Sequence, residues 1–380
     1  MVVISDSKDC CGCTACASVC AHDAIKMEPD SLGFLYPKVD ESRCVECGLC
    51  EKVCQFNDKY DCSLNLETPI AYAARHKEMD EILKSRSGAA FVAISDYILE
   101  QGGIVYGAGY KDHFRVVHKR ATTKEERDEF RCSKYVQSDL TGIFRLVRED
   151  LKNGLIVLFS GTPCQTSGLR SFLGKKLIGK LVLVDIVCHG APSPYIWKDY
   201  LGYMEYLYNT TFDVINFRDK EKYGWKDHKE TFISNKGEFI EGGLYTQLFY
   251  KHIMFRKSCG ICYFTNLKRP SDITLADFWG WENSVPDMNV DDKGISLILL
   301  NTEKGKIFFN LARQCMDVKE VDIHNCLQRT LLSPSQTHSL RDKFEKDYIK
   351  YGFDSLISKY VCPSFLRKVV NKIKYGRASL

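Results

Sequence analysis

The 380-residue chain has no apolar run approaching the ~18 residues that a membrane-crossing helix needs. Its longest candidates, such as 181–187, are strand length and contain Asp185. A helical span is therefore excluded. No leader-like segment stands ahead of the first cysteine at position 10, since the chain opens Met1-Val2-Val3-Ile4-Ser5-Asp6. That speaks against secretion and against reading the eighteen cysteines as a disulfide framework, so a cytoplasmic location is expected. No G-x-G-x-x-G follows a strand with an acidic residue beyond it, and the nicotinamide fingerprint is missing. Low-complexity segments are absent. An excess of one charge sign is also lacking, with 53 Lys and Arg against 49 Asp and Glu. No nucleic-acid partner is expected.

What the chain has is cysteine in a pattern. Cys10, Cys13, Cys16 and Cys20 make a C-x2-C-x2-C-x3-C run, and Cys44, Cys47, Cys50 and Cys54 repeat it. Each run can wrap a cubane with three thiolates and give its fourth to the other cluster, as in bacterial two-cluster ferredoxins. Zinc also takes four thiolates, but its knuckles space two C-x2-C pairs by a longer gap. Two 4Fe-4S clusters are therefore expected. Ala21 and Gln55 stand where ferredoxins often place proline, which removes no ligand, and Cys11 is spare.

The predicted organisation is a small α+β two-cluster ferredoxin domain (1–57), a polar linker (57–68), a larger mixed α/β domain (69–340) and a basic helical extension (341–380). Strands are expected over 70–75, 104–110, 155–160 and 181–187, with helices over 89–100, 139–151, 165–173 and 195–208. Such alternation argues for a largely parallel sheet covered on both faces. Beyond residue 211 the signal is mixed, with strands expected over 231–234, 273–276 and 294–301. Residues 1–57 carry five basic and nine acidic side chains, so a net −4 sits on a body of +8. Internal docking and ordinary surface solubility both explain that asymmetry.

Four further cysteines fall in predicted loops. Cys164 and Cys188 follow strands, and Cys259 and Cys262 form a C-x2-C pair. Loops beyond strand ends are where open α/β sheets place ligands. Spacing alone leaves a third cluster, a zinc site and buried thiols all open.

Several stretches carry a resemblance. They are Ser87-Gly88, Gly102-Gly103-Ile104-Val105-Tyr106-Gly107, Ser133-Lys134-Tyr135-Val136-Gln137-Ser138 and Ser160-Gly161-Thr162-Pro163-Cys164-Gln165. To these add Val187-Cys188-His189-Gly190-Ala191-Pro192-Ser193-Pro194, Lys268-Arg269-Pro270-Ser271-Asp272-Ile273-Thr274 and Asp277-Phe278-Trp279-Gly280. Over roughly residues 70–300 the chain resembles the beta-subunit family of the coenzyme F420 (deazaflavin) hydrogenases and dehydrogenases. Relatives of that family reduce chlorophyll-type substrates, so the scaffold is not tied to deazaflavin. The resemblance implies FAD in the large domain and a third 4Fe-4S cluster on Cys164, Cys188, Cys259 and Cys262. A flavin takes electrons in pairs and releases them singly, which suits a neighbour of clusters.

The flavin contacts that the resemblance implies are Ser85, Ser87 and Gly88 at a helix start, and Ser133, Lys134 and Tyr135. A plain serine N-cap and a solvated loop are the alternatives. Cys132 replaces the glycine common before Ser-Lys-Tyr. His189 could protonate a reduced substrate or the flavin, or donate a hydrogen bond beside a cluster ligand. Lys268 and Arg269 could meet an anionic substrate, or lie in a solvated loop. Asp272 and Asp277 read as residues that orient neighbours. The stretch 365–375 has an apolar face and cations elsewhere, which suits docking on the body or peripheral contact with an anionic membrane.

The expected function is an iron–sulfur flavoprotein oxidoreductase. It would pass electrons between a soluble carrier (ferredoxin or reduced deazaflavin), the clusters, FAD and a small organic substrate that accepts hydride. An electron-transfer subunit of a larger deazaflavin-linked complex, and a non-enzymatic iron–sulfur redox sensor, are the alternatives.

Overall fold

Short-range constraints shape the N-terminal module. The two cysteine runs each enter a short helix, Ala15–Val19 and Leu49–Lys52, through a left-handed residue, Thr14 at φ 68° and Gly48 at φ 71°. The sequence duplication is thus a backbone duplication. Between the runs, β1 (Ile25–Pro29) and β2 (Leu35–Val39) pair antiparallel. The structure, a computed structural model, describes residues 2–361.

The larger domain is built on an eight-stranded sheet. Its strands are β3 (Asn65–His76), β4 (Ile104–Lys111), β5 (Arg115–Ala121), β6 (Val157–Gly161) and β7 (Leu181–Ile186). A side sheet of β8 (Phe212–Asn216), β9 (Thr231–Ser234) and β10 (Phe239–Glu241) follows. Then β11 (Ile273–Asp277), β12 (Ser296–Thr302) and β13 (Met316–Val321) complete the large sheet. Its order is β13-β3-β12-β11-β7-β6-β4-β5. Alternate side chains of β6 enter opposite cores. Leu158 packs with the helices Ala90–Glu100 and Glu303–Ala312, while Val157 and Phe159 pack with Ile143–Lys152 and Pro163–Leu173. Burial on both faces explains why these strands read as near-continuous apolar runs.

The sheet is less parallel than expected. Only β4, β6, β7 and β11 pair parallel; the flanking pairs are antiparallel. The turn between β4 and β5 spans only 112–114, far too short for a parallel crossover. The edge strands β5 and β13 were not anticipated, because their charged residues mask the alternation. The polar linker is shorter than expected. Strand β3 starts at Asn65, and Tyr60 is buried against Phe264. The extension begins as the helix Arg341–Tyr360, with non-helical backbone at Gly352. The amphipathic stretch 365–375 lies outside the described residues. Among the described residues, no helix is long and apolar enough to cross a membrane.

The acidic module does dock on the body, though mostly through its main chain. Arg145 donates to the carbonyls of Ser18 (3.0 Å) and Cys20 (2.8 Å) and pairs with Asp23 at 2.7 Å. Gln137 donates to the Cys11 carbonyl at 2.9 Å.

Candidate functional site: a thiol-lined cavity behind the ferredoxin module

Within the module, the fourth thiol of each run crosses over. Cys54 has Cys10 and Cys13 as electrostatic neighbours, and Cys16 has Cys10, Cys13 and Cys54. Cys20 packs beside Cys50, in a cluster that Cys16 also borders. Two cubanes would use such an exchange of ligands. The donor chemistry fits as well. Sulfurs accept backbone N–H bonds at Cys10 (from Gly12, 3.4 Å), Cys20 (from Ala24, 3.4 Å) and Cys50 (from Val2, 3.2 Å). Such bonds favour thiolate, and every described cysteine is free of disulfide. In one set Cys47 is exposed and Cys50 buried; the other abuts the large domain, where Cys11 is buried among Cys13, Cys54 and Cys164. Cys11 is spare as a ligand but sits at the junction.

Behind it lies a cavity of about 990 Å³. Cys164 opens the helix after β6, and Cys188 follows the adjacent parallel strand β7, so the sheet delivers both to one edge. The 3-10 turn Lys257–Ile261 brings Cys259 and Cys262, and Ala191 N–H donates to Cys259 Sγ at 3.3 Å. All four thiols line the cavity. Each of the other three acts electrostatically on Cys188, whose thiol burial pushes well above its ordinary value. Among the described residues, no three His, Cys, Asp or Glu side chains are grouped closely enough to hold a single metal ion, and this is true of the module's thiols as well.

Ser85, Ser87, Ser133, Lys134 and Tyr135 line the same cavity. Ser85 Oγ is buried and unpartnered there. Gly88 plays a different part from the one expected. Its N–H is used by Ser296 Oγ at 3.0 Å, and a Cβ would lie 2.3 Å from the Ala74 carbonyl, so Gly88 lets the helix close on β3. Ser87 Oγ likewise donates to the Ile295 carbonyl at 2.6 Å. Lys134 Nζ donates to the carbonyls of Glu129 and Arg131 and, through burial, is pushed down to about 8. The Tyr135 ring packs on Phe217, His228 and Phe249. Cys132 takes φ 62°, the left-handed backbone that glycine adopts freely, so the replacement keeps the turn. The two motifs flanking the cavity are tied together. Gln165 donates to Ser138 Oγ (3.1 Å), and Ser138 donates to His118 Nδ1 (2.8 Å). His118 Nε2–H meets the Ser160 carbonyl at 3.0 Å.

Lys268 and Arg269 do not line the cavity. Lys268 is exposed. Arg269 is fully buried, donating to the Phe264 and Ile186 carbonyls and pairing with Asp185 at 3.1 Å. It braces the sheet edge, and no surface remains for a substrate. Asp272 also braces, accepting from Leu183 N–H (2.9 Å) and Thr302 Oγ1 (2.8 Å).

Comparison with known proteins agrees with this layout. Residues 9–57 match the 4Fe-4S dicluster domain, and residues 155–325 match the family described as the C terminus of the coenzyme F420 hydrogenase/dehydrogenase beta subunit. The large domain resembles that beta-subunit family over those residues. A solved structure of the F420-reducing [NiFe] hydrogenase complex from Methanosarcina barkeri is similar at 19% identity, with a TM-score of 0.46. The alignment covers 77% of this chain and 91% of that one. No curated protein matches the chain. At this level the chain is an iron–sulfur electron-transfer protein of an oxidoreductase family.

The large domain places cations that, Lys134 apart, sequence reasoning missed. Arg86, Arg131, Lys134, Arg218, Arg256 and Arg329 line the cavity, against one carboxylate, Asp277. Arg218 pairs with Asp277 at 2.9 Å, and Arg86 lies 3.8 Å from the same carboxylate. Arg86 Nε is buried and, although it faces Asp277, makes no hydrogen bond. Arg86 stood in plain sight between Ser85 and Ser87; nothing local marked Arg218. Beside them Trp279 stacks on Trp225 at 4.5 Å. His189 Nε2 meets His252 Nε2 at 2.7 Å, while His252 Nδ1 faces the Gln336 carbonyl at 3.1 Å. That carbonyl requires Nδ1–H, so in the neutral pair His189 Nε2 is the donor and its Nδ1 is left as acceptor. Burial pushes His189 down to about 4.

Proposed function

We propose that the chain is an iron–sulfur flavoprotein oxidoreductase that connects a soluble one-electron carrier, through its clusters, to FAD and an organic substrate accepting hydride. The observation that carries this is the single cavity of about 990 Å³, lined both by Cys164, Cys188, Cys259 and Cys262 and by Ser85, Lys134 and Tyr135. These residues fit the two groups. Four free, mutually adjacent thiols suit a third 4Fe-4S cluster. The orphaned Ser85 Oγ and Arg86 Nε, with Lys134, offer donors to a pyrophosphate. FAD would supply the exchange between paired and single electrons. The chain's own part is to bind and to hold protons. Lys134 and Arg86 neutralise phosphate, and Tyr135 presents a ring edge. Arg218, kept charged by Asp277, faces an anionic substrate group. The His189–His252 pair holds a proton at His189 Nε2.

Anaerobic protein supplemented with FAD and mixed with candidate donors in a stopped-flow instrument tests this. Flavin absorbance should bleach with reduced ferredoxin or reduced deazaflavin, faster than with NADH or NADPH. A protein that retains no FAD, or that responds only to NADH, sinks the reading. The beta-subunit match favours a second form of the same chemistry, in which the chain serves a larger deazaflavin-linked assembly. Partner chains that co-purify stoichiometrically would select it.

A further inference from the structure

Three arginines are buried to the same extent, with Arg127, Arg256 and Arg269 each 1% exposed. Arg127 has Asp96 at 2.6 Å, and Arg269 has Asp185 at 3.1 Å. Arg256 has no carboxylate partner among the described residues. Its guanidinium donates to the carbonyls of Cys10 (2.8 Å) and Leu35 (3.0 Å) and to Gln137 Oε1 (3.0 Å). It also lies 4.0 Å from the Tyr36 ring centre. Carbonyls, an amide and a ring satisfy its N–H groups but leave its charge unbalanced, and an unpaired buried charge is strongly destabilising.

The closest candidate for the missing negative charge is sulfur. Nη2 is 3.6 Å from Cys10 Sγ. The same guanidinium acts electrostatically on Cys13 of the module and on Cys164 and Cys259 of the large domain. Room for it is made at Gly12, where a Cβ would sit 2.9 Å from Nη1. Arg256 therefore stands between two thiol sets contributed by different domains. A cubane with four thiolates is an anion, so an iron-loaded set on either side supplies the charge that no carboxylate does.

We propose that Arg256 is the shared counter-charge of the module's inner cluster and the large-domain thiol set, raising the reduction potential of the inner cluster at the domain junction. The inner cluster is the one held by Cys10, Cys13, Cys16 and Cys54. This rests on the reading above for the large-domain cluster, but its effect on the inner cluster does not need that cluster to exist. A cation beside the cluster favours the more negative, reduced form; neutralising it must lower the midpoint. Arg256 is a positioning residue in this role, since it acts on the cluster through the sulfur that holds it.

The test is a redox titration of anaerobic full-length holoprotein, followed by electron paramagnetic resonance after iron has been counted. The wild-type iron count tests the cluster reading by itself. With iron retained, Arg256→Gln should lower the inner-cluster reduced-to-oxidised ratio at the wild-type midpoint about tenfold, ~59 mV for one electron. An unchanged midpoint with full iron overturns the proposal. Gln137→Leu removes a neighbouring hydrogen bond without touching charge and should leave the midpoint in place; an equal shift there marks the effect as structural and also overturns it. Should Arg256→Gln lose its iron, Arg256→Lys decides. Iron retained with the ratio within about threefold of wild type supports a charge effect, and loss of either iron or midpoint refutes it.

Discussion

The module and the large domain each gather cysteines, and they do it in opposite ways. In the module each run covers eleven residues, from Cys10 to Cys20 and from Cys44 to Cys54, and the left-handed entries at Thr14 and Gly48 set the local geometry. In the large domain the four thiols are spread from Cys164 to Cys262 and meet only because β6 and β7 are adjacent parallel strands and Ala191 anchors Cys259. The first site is written in spacing; the second exists only once the sheet has formed. Damage in the module should therefore stay local, whereas damage in the large domain should spread to whatever shares its cavity.

Cysteine replacement tests that contrast at its largest. Three cubanes carry about twelve irons, four each. Cys44→Ser should bring the anaerobic iron count to about eight and leave FAD bound. Cys259→Ala should remove the same iron but also loosen FAD, because its thiol lines the same cavity as Tyr135 and Lys134. Iron quantitation and flavin retention after gel filtration read both. Full iron in Cys259→Ala would reduce that residue to a structural thiol and dissolve the comparison.

The next effect concerns the cavity alone. Lys134→Ala should weaken FAD by ~1.5–3 kcal/mol, the worth of a hydrogen bond to a charged group. Its pH dependence has a definite sign. Burial pushes Lys134 from the model-compound value of 10.5 down to about 8. Between those values the unfolded chain binds a proton that the folded chain does not, so this residue makes FAD-free stability rise with pH across that window. FAD affinity, which needs the charged amine, should fall over the same window. Flavin fluorescence titrations at pH 7 and pH 9.5 measure it. An affinity that stays flat in the wild type, or that falls equally in Lys134→Ala, removes Lys134 from the phosphate site.

What could be read in advance follows the same division. The ferredoxin ligands were complete in the sequence, and the central strands were legible because burial on both faces makes them apolar throughout. The edge strands were not, since 115–121 carries Arg115, His118, Lys119 and Arg120 on a strand whose outer side has only an isolated bridge to Asp139. Arg269 shows the limit at the site. A basic pair in a motif invites a substrate role, and only the burial of Asp185 beneath it reveals a structural ion pair. Arg218 is the converse, an ordinary cation in sequence that long-range packing delivers to Asp277.

The smallest effect tests the turn that carries Ser133 and Lys134. Cys132 holds φ 62° although it bears a side chain, and its sulfur makes only a 3.6 Å contact to the Lys84 carbonyl. A left-handed residue other than glycine costs roughly 1–2 kcal/mol, and part of that is offset because glycine gives the unfolded chain more freedom. Cys132→Gly should therefore stabilise the FAD-free protein by about 0.5–1 kcal/mol, seen as a higher urea midpoint at unchanged slope. Cys132→Val should do the reverse, because a β-branched side chain resists this backbone more than cysteine does. Iron content should be the same in both, since Cys132 lines the cavity but belongs to neither proposed ligand set. If the glycine variant is less stable than the parent, the sulfur contact outweighs the backbone strain. The turn would then be held by its side chain, as the module's thiols hold theirs.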